Sequence, residues 1–302
     1  MILTITPNPA VDLTVQIDEE LVPDQVLRST GEQFDSGGNG INVSQFLQAF
    51  EAETVATGIT GGFTGYFIEQ DLADYDVTTD FVGTAEPTRL NTTIHAAGDE
   101  YKINQTGPDV EPSIVDDLVA TAREYDPDIL NIGGSLPPGL DRSVIDRIAE
   151  AGDWETALDV HGEHLPHLEA GAEYVKPNAV ELEGATGVAI ESIDDCAEAA
   201  TELQSMGYER VLASMGGEGA VLVTPAETLF APALDVDVVD TVGAGDSMFA
   251  GALWAWKQGR SDADALRAGV SVSSQVVEVH GPSAHDLDPE LRMDDVRIWS
   301  MQ

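Results

Sequence analysis

The chain has 302 residues, 42% of them hydrophobic, and carries 55 acidic against 13 basic side chains, a formal charge of −42. The length allows one large α/β domain or two smaller ones, and the apolar content argues for a packed core rather than an acid-rich disordered chain. The charge excludes nucleic-acid binding through a basic face.

In chain order, short apolar runs predict strands over 2–6, 54–57, 129–132, 157–160, 174–176, 211–214 and 220–223. Helical periodicity predicts helices over 41–51, 113–125, 142–151, 194–206, 246–257 and 262–279. This β-α alternation implies a mostly parallel sheet with helices on both faces, and such sheets bind ligands at the carboxyl ends of their strands. Residues 12–34 and 88–104 break the pattern: they alternate with period two and have no helix between. Within the second stretch Leu90–His95 and Tyr101–Ile103 suggest a hairpin around Gly98-Asp99. We expect a small antiparallel sheet here, outside the main one and placed as a lid, on a single domain spanning 1–302.

The acids are spread along the whole chain, and lysine is reduced to Lys102, Lys176 and Lys257. Such a surface suits concentrated salt, where screening relieves self-repulsion, and points to a halophilic source. A lysine retained on it is a candidate for a specific task; the plainer reading is a solvated side chain. The single Cys196 permits no internal disulfide and is expected to be packing. The sequence has no membrane-spanning apolar run, and its Met-Ile-Leu-Thr-Ile-Thr start reads as a strand with no basic n-region, so a cytoplasmic protein is expected.

Three motifs carry chemistry. Ser36-Gly-Gly-Asn-Gly-Ile-Asn-Val43 is a glycine-rich turn entering a helix, where Asn39 and Asn42 add amides suited to hydroxyls or phosphate oxygens. Asp12 follows the first strand, where a carboxylate can hold a sugar diol; the plainer reading is a turn residue. Asp240-Thr-Val-Gly-Ala-Gly-Asp246 places Gly243, Ala244 and Gly245 before a helix whose apolar face is Met248, Phe249, Ala252, Leu253 and Trp256. Free amides at a helix start attract anions. Asp246 beside them is either a helix cap or a base for a hydroxyl attacking a phosphoryl group. The Walker A and dinucleotide G-x-G-x-x-G fingerprints are both absent.

In combination these motifs resemble the ribokinase/PfkB carbohydrate kinase family over essentially the whole chain. Asp240–Asp246 resembles its D-T-x-G-A-G-D signature, Ser36–Val43 its G-G-x-G-x-N signature, and Lys176-Pro-Asn-Ala-Val-Glu181 its K-P-N-x-x-E element. Thr6-Pro-Asn-Pro-Ala-Val-Asp12, Thr88-Arg-Leu-Asn91 and Gly134-Ser-Leu-Pro-Pro-Gly139 look like the phosphosugar branch, nearest its 1-phosphofructokinase members. The resemblance implies a ribokinase-like three-layer α/β sandwich with a β lid.

It also implies roles. Asp246 would accept the proton, and the amides of Gly243, Ala244 and Gly245 would form the anion hole. Asn178 and Glu181 would organise Mg²⁺ through its waters. Lys176, Asn178, Ser214, Gly216 and Gly219 would hold ATP. Asp12, Gly37, Gly38, Asn39 and Asn42 would hold the sugar, and Arg89, with Ser135 nearby, its existing phosphate. Arg28 and Lys102 are further phosphate candidates on the lid. A K⁺ site is implied around Asp240, Val242 and His280-Gly281, and a homodimer through the lid. The implied reaction transfers a phosphoryl group from ATP to fructose 1-phosphate. Alternatives are tagatose 6-phosphate, fructose 6-phosphate or fructose as acceptor, or a non-catalytic sugar- or nucleotide-binding regulator.

The chain departs from that pattern at two places. Asn39 stands where 1-phosphofructokinases usually carry Lys, replacing a point charge by a dipole. His161, His164 and His167, with Glu163, have a spacing that suits a metal, but Pro166 interrupts any single helical face and the family's D-x-S-G-E-like element here is not a metal site.

Overall fold

The computed structural model describes residues 1–279 and 287–301. The elements run β1 Ile2–Thr6, β2 Ala10–Ile17, β3 Gly31–Gly37, α1 Asn39–Ala49, β4 Thr54–Thr60, α2 Gly62–Asp74, β5 Thr78–Thr79, β6 Val82–Gly83, β7 Arg89–Ala96 and β8 Asp99–Ile103. They continue α3 Ile114–Tyr125, β9 Ile129–Gly133, α4 Ser143–Ala149, β10 Glu155–Asp159, β11 Ala172–Val175, α5 Ala179–Thr186, α6 Ile193–Ser205 and β12 Tyr208–Ser214. β13 Ala220–Val223, β14 Thr228–Ala231, α7 Ala244–Lys257, α8 Asp262–Val276 and β15 Trp299–Met301 complete the chain.

The large sheet has the order β15-β14-β13-β12-β11-β10-β9-β1-β4-β5. It is parallel from β12 to β5 and antiparallel from β12 to β15. Alternation along each strand divides the apolar side chains between two cores. Leu3, Ile5, Leu130, Ile132, Leu158 and Val175 pack with α3, α4 and α6 on one face. Ile2, Ile129, Ala157, Tyr174 and Leu212 pack with α1, α7 and α8 on the other. The three layers expected from the sequence are therefore present.

Local sequence explains the helix ends. Ser192 and Ser261 cap α6 and α8 by accepting the amides of Asp195 and Asp264. Along α6, Cys196, Ala199, Ala200 and Leu203 form the buried stripe, so Cys196 is a packing residue. α8 stops at Val276, short of the expected 279, because the Val277 carbonyl accepts the amides of Val239 and Asp240 from the loop ahead of α7.

The small sheet has the order β3-β2-β7-β8. Its outer pairings, β2 with β3 and β7 with β8, are antiparallel, whereas β2 and β7 run parallel in the middle. The hairpin turn falls at Ala97-Gly98, one residue before the expected Gly98-Asp99; both residues have positive φ, 49° and 95°. Residues 18–30 form no strand and are mostly exposed, so the sheet is shorter here than the alternation suggested.

Candidate active site

Parallel register lines up the critical side chains. Gly133 of β9 pairs with Asp159 of β10, and Leu158 pairs with Val175, one residue before Lys176. Asp159 and Lys176 thus emerge side by side at the carboxyl ends of central strands, where an open α/β sheet presents ligands to its loops. The helices α1, α5 and α7 begin around the same point. A cavity of about 1370 Å³ lies between them, walled by Asn39, Lys176, Asn178, Glu181, the 214–219 turn and Gly243–Asp246.

At the start of α7, Gly243 has φ 77°, a left-handed conformation that glycine adopts without strain. The Ala244 amide bonds to the Thr241 carbonyl at 3.3 Å, and Ser247 is the first to bond back along the helix, to Gly243. The amides of Gly245 and Asp246 therefore precede the first helical donor, Ser247, and are well placed to meet an anion. Of the expected Gly243, Ala244 and Gly245 amides, that of Ala244 is engaged in a turn.

Asp246 stands within this group. Its carboxylate accepts a hydrogen bond from Asn42 Nδ2 at 2.7 Å and lies beside the carboxyl of Asp159. Burial, then the neighbouring Asp159, pushes its pKa up to about 7, against the pull of Lys176 and Asn42. An acid poised there can exchange a proton near neutrality. Lys176 is buried, with Nζ 3.1 Å from Asp159 Oδ1. Burial alone would discharge it, but Asp159, then Asp246 and Glu181, hold its pKa above the usual value. Its ammonium lies under α7: a Cβ built on Gly245 would be 3.3 Å from Nζ.

The K-P-N-x-x-E element is a capping box. Asn178 Oδ1 accepts the Glu181 amide at 2.9 Å, and Glu181 Oε2 accepts the Asn178 amide at 3.0 Å. Each side chain is fixed by the other. Burial raises the Glu181 pKa, partly offset by that amide. The opposite wall is the 214–219 turn, where Gly219 has φ 114° and a Cβ would sit 2.1 Å from the Ala231 carbonyl oxygen.

The remaining sugar candidates lie across the Asn42–Asp246 bond, towards the small sheet. Asp12 accepts Asn91 Nδ2 at 2.9 Å; burial raises its pKa, offset by that bond and by Arg89. Gly37 is required beside it, since a Cβ there would fall 2.0 Å from Asp12 Oδ2. Gly38 has φ 121° and caps α1. Arg89 donates to the carbonyls of Asn8 and Gln105, at 2.9 and 3.4 Å, while its buried Nε has no protein acceptor. Ser135 accepts Asn8 Nδ2 at 3.2 Å, so Asn8 links it to Arg89.

Some expectations land elsewhere. Asn39 lines the cavity, and its Nδ2 donates to Asp159 Oδ2 at 3.1 Å. Lys102 is exposed and pairs with Glu100, and Arg28 is exposed in the 18–30 loop. His161 and His164 stack with ring centroids 6.2 Å apart, and no metal-binding group of three or more His, Cys, Asp or Glu side chains is found among the described residues. His280 and Gly281 lie outside the described residues; Asp240 Oδ1 accepts the Val242 amide at 3.0 Å.

Sequence reasoning missed three residues. Asp159 carries a strand-end position that could have marked it. Asn8 sits inside a motif that was quoted without assigning it a task. Asp71, on α2, accepts the Ser36 amide at 3.0 Å and so braces the glycine turn, a contact without a local sequence signal.

The family model for pfkB family carbohydrate kinases matches residues 6–288. The 1-phosphofructokinase of Haloferax volcanii is 50% identical over 291 residues, 96% of this chain and 95% of the relative. The D-tagatose-1-phosphate kinase of Bacillus licheniformis is 36% identical over 276 residues, 88% of this chain and 89% of the relative. The crystal structure of phosphofructokinase-2 from Escherichia coli in complex with potassium matches with a TM-score of 0.86 at 29% identity, covering 93% of this chain and 94% of that one. The three-layer arrangement is the ribokinase-like one, and no helix among the described residues is long and apolar enough to cross a membrane.

Proposed function

Because this chain belongs to the pfkB family of carbohydrate kinases, and is therefore a phosphotransferase acting on a sugar hydroxyl, we propose that it phosphorylates fructose 1-phosphate to fructose 1,6-bisphosphate with ATP. The observation that carries this reading is the 50% identity, over nearly the full length of both chains, to a 1-phosphofructokinase. The site chemistry agrees with it.

Asp246 takes the proton of the C6 hydroxyl, helped by a carboxyl group already tuned near neutrality. The amides of Gly245 and Asp246, with Lys176 beneath them, face the charge that develops on the transferred group. Asp12 and Asn42 orient the sugar. Arg89 holds its phosphate, and its unpartnered Nε suits an anion that supplies the missing acceptor. Asn178 and Glu181, each fixed by the other, would hold Mg²⁺ through its waters; one carboxylate completed by phosphate oxygens suits that ion, which needs no all-protein cage. When bound, the magnesium–nucleotide pair supplies the phosphoryl group and neutralises part of its charge. The 214–219 turn would receive the nucleotide.

Three further assignments accompany this reading. K⁺ binds near the Asp240–Val242 turn, favoured by the potassium-bound phosphofructokinase-2. Replacing K⁺ by a large organic cation at constant ionic strength then lowers activity, and unchanged activity removes the site. A second copy pairs through the lid, whose Phe34, Tyr101 and Ile103 are exposed apolar side chains; light scattering of the parent and Ile103→Asp tests it. The enzyme works in the cytoplasm in concentrated salt, as its charge suggests.

A second reading, D-tagatose 1-phosphate as acceptor, is favoured by the 36% identical kinase of that sugar. The deciding experiment is a steady-state panel in high salt with ATP and fructose 1-phosphate, tagatose 1-phosphate, fructose 6-phosphate, tagatose 6-phosphate or fructose. Fructose 1-phosphate is expected to give the highest kcat/KM, and any other leader replaces it.

A further inference from the structure

Asp159 touches Lys176, Asn39 and Asp246, yet beyond its influence on the Asp246 carboxyl no task has been assigned to it. It ends β10 and is 3% exposed. Its backbone is held by the Gly134 amide, which donates to the Asp159 carbonyl at 2.8 Å. One carboxylate oxygen meets Lys176 Nζ at 3.1 Å and the other accepts Asn39 Nδ2 at 3.1 Å. Asp246 lies against the same carboxyl group. Both oxygens are thus committed, one to the side where the phosphoryl donor binds and one to the helix that carries the sugar-facing Asn42.

A buried carboxylate in this position costs desolvation, which only well-formed partners offset. The carboxylate is also rigid. Its strand sits in the middle of the sheet, and Gly162, three residues on, packs so tightly that a Cβ would be 2.2 Å from the Glu181 carbonyl oxygen. Lys176 has a long flexible stem and needs such an anchor to stay under the first turn of α7.

We propose that Asp159 is a positioning residue that holds the Lys176 ammonium beneath the anion hole and locks it, through Asn39, to the helix that orients the sugar. Donor and acceptor sides are thereby aligned by one carboxylate. This rests on the reading of Asp246 and Gly245 as the transfer site. Asp159 acts through Lys176, so the two losses must not multiply.

The test is a double-mutant cycle on the full chain in high salt, with ATP, Mg²⁺ and the best sugar phosphate of the panel. Asp159→Asn is expected to lower kcat about 10²-fold in the parent, but no more than about threefold in a Lys176→Met background. Independent, multiplying losses overturn the proposal. Removing the charge is also expected to move the acid limb of kcat/KM to lower pH, because Asp159 helps keep Asp246 protonated. An unmoved limb overturns it too, since a purely structural defect leaves the limb in place. Asp159→Glu, which keeps the charge but lengthens the side chain, should keep the parental limb and still lose at least about tenfold in kcat. Full turnover there overturns the positioning claim, even if the Asn variant folds poorly. Asp246→Asn, measured alongside, separates the two readings: if it retains turnover the base assignment falls, while coupling between positions 159 and 176 stands or falls by its own cycle.

Discussion

The proposed nucleotide side of the site and its proposed sugar side are built from different materials. The first is made of helix starts at the ends of central strands, reciprocally capped at Asn178 and Glu181 and braced by glycines such as Gly219 and Gly162 that admit no Cβ. The second includes a four-stranded sheet with an exposed strand, β8, and an exposed 18–30 loop, joined to the body by polar contacts such as those of Arg89 and Asn8 and by the packing of Val11 and Leu90 against Ile41, Ala56 and Ile68. The chemistry is held by elements that cannot shift without disturbing the core. The proposed grip on the sugar belongs to a sheet whose outer strand and 18–30 loop are exposed, the kind of element that can close and open.

The sharpest way to break this division is Asp246→Asn. We expect kcat to fall at least ~10²-fold while the KM for ATP stays within about threefold, because the anion hole is unchanged. Near-parental turnover would place the base elsewhere. The same carboxyl governs pH. Its pKa is raised from 3.8 to about 7 in the folded protein, so log kcat/KM should rise with near unit slope below pH 7 and level off above; a flat profile from pH 5 to 8 contradicts the assignment. Stability runs the other way. A raised carboxyl pKa means the folded state binds the proton more tightly, so this stabilisation is complete below the unfolded value and is lost as pH rises through about 7. Asp246→Asn should therefore have a higher Tm than the parent at pH 8, and the gap should narrow as pH falls from about 7 towards 3.8.

Arg89→Met addresses the sugar side. A charge-assisted hydrogen bond to phosphate is worth about 1.5–3 kcal/mol, so kcat/KM for the sugar phosphate should drop ~10–100-fold. The KM for ATP, and any activity on unphosphorylated fructose, should stay near parental. An equal loss on fructose would mean that Arg89 serves only to tie the lid to Asn8 and Gln105.

The two sides also differed in how far the sequence revealed them. Central strands such as β1, β9 and β13 were legible because burial on both faces leaves continuous apolar runs. Helix α2 was not, since Gly62 and Gly65 weaken its propensity and the exposed Phe63 and Tyr66 spoil its amphipathic pattern. Helix α5 hid inside a motif read for its ligands rather than its capping box. In the lid the alternation showed that strands were present, but not that β2 and β7 run parallel, which depends on chain crossings no local pattern records. The motif residues proposed for the site were legible in sequence and their partners were not: the approach of Asp159 to Asn39, Lys176 and Asp246 is a product of sheet register.

The smallest expected effect joins the two sides, at Asn39→Lys. Asn39 begins α1 and gives its amide to Asp159, so it lies on the seam between sugar and nucleotide. A lysine there would bring a second ammonium to a carboxylate that already neutralises Lys176. With Asp159 more fully compensated, Asp246 loses part of the repulsion that raises its pKa, and the acid limb of kcat/KM should move to lower pH by a fraction of a unit. The added cation should also lower the KM for the sugar phosphate about two- to fivefold, an effect of Coulomb attraction screened by salt, and leave fructose unaffected. Titrating KM against ionic strength separates the two consequences, because the shift in the acid limb comes from a buried contact and should persist in salt. A variant with parental KM and a parental acid limb would mean that position 39 faces neither Asp159 nor the sugar during turnover, and that the seam opens when substrates bind.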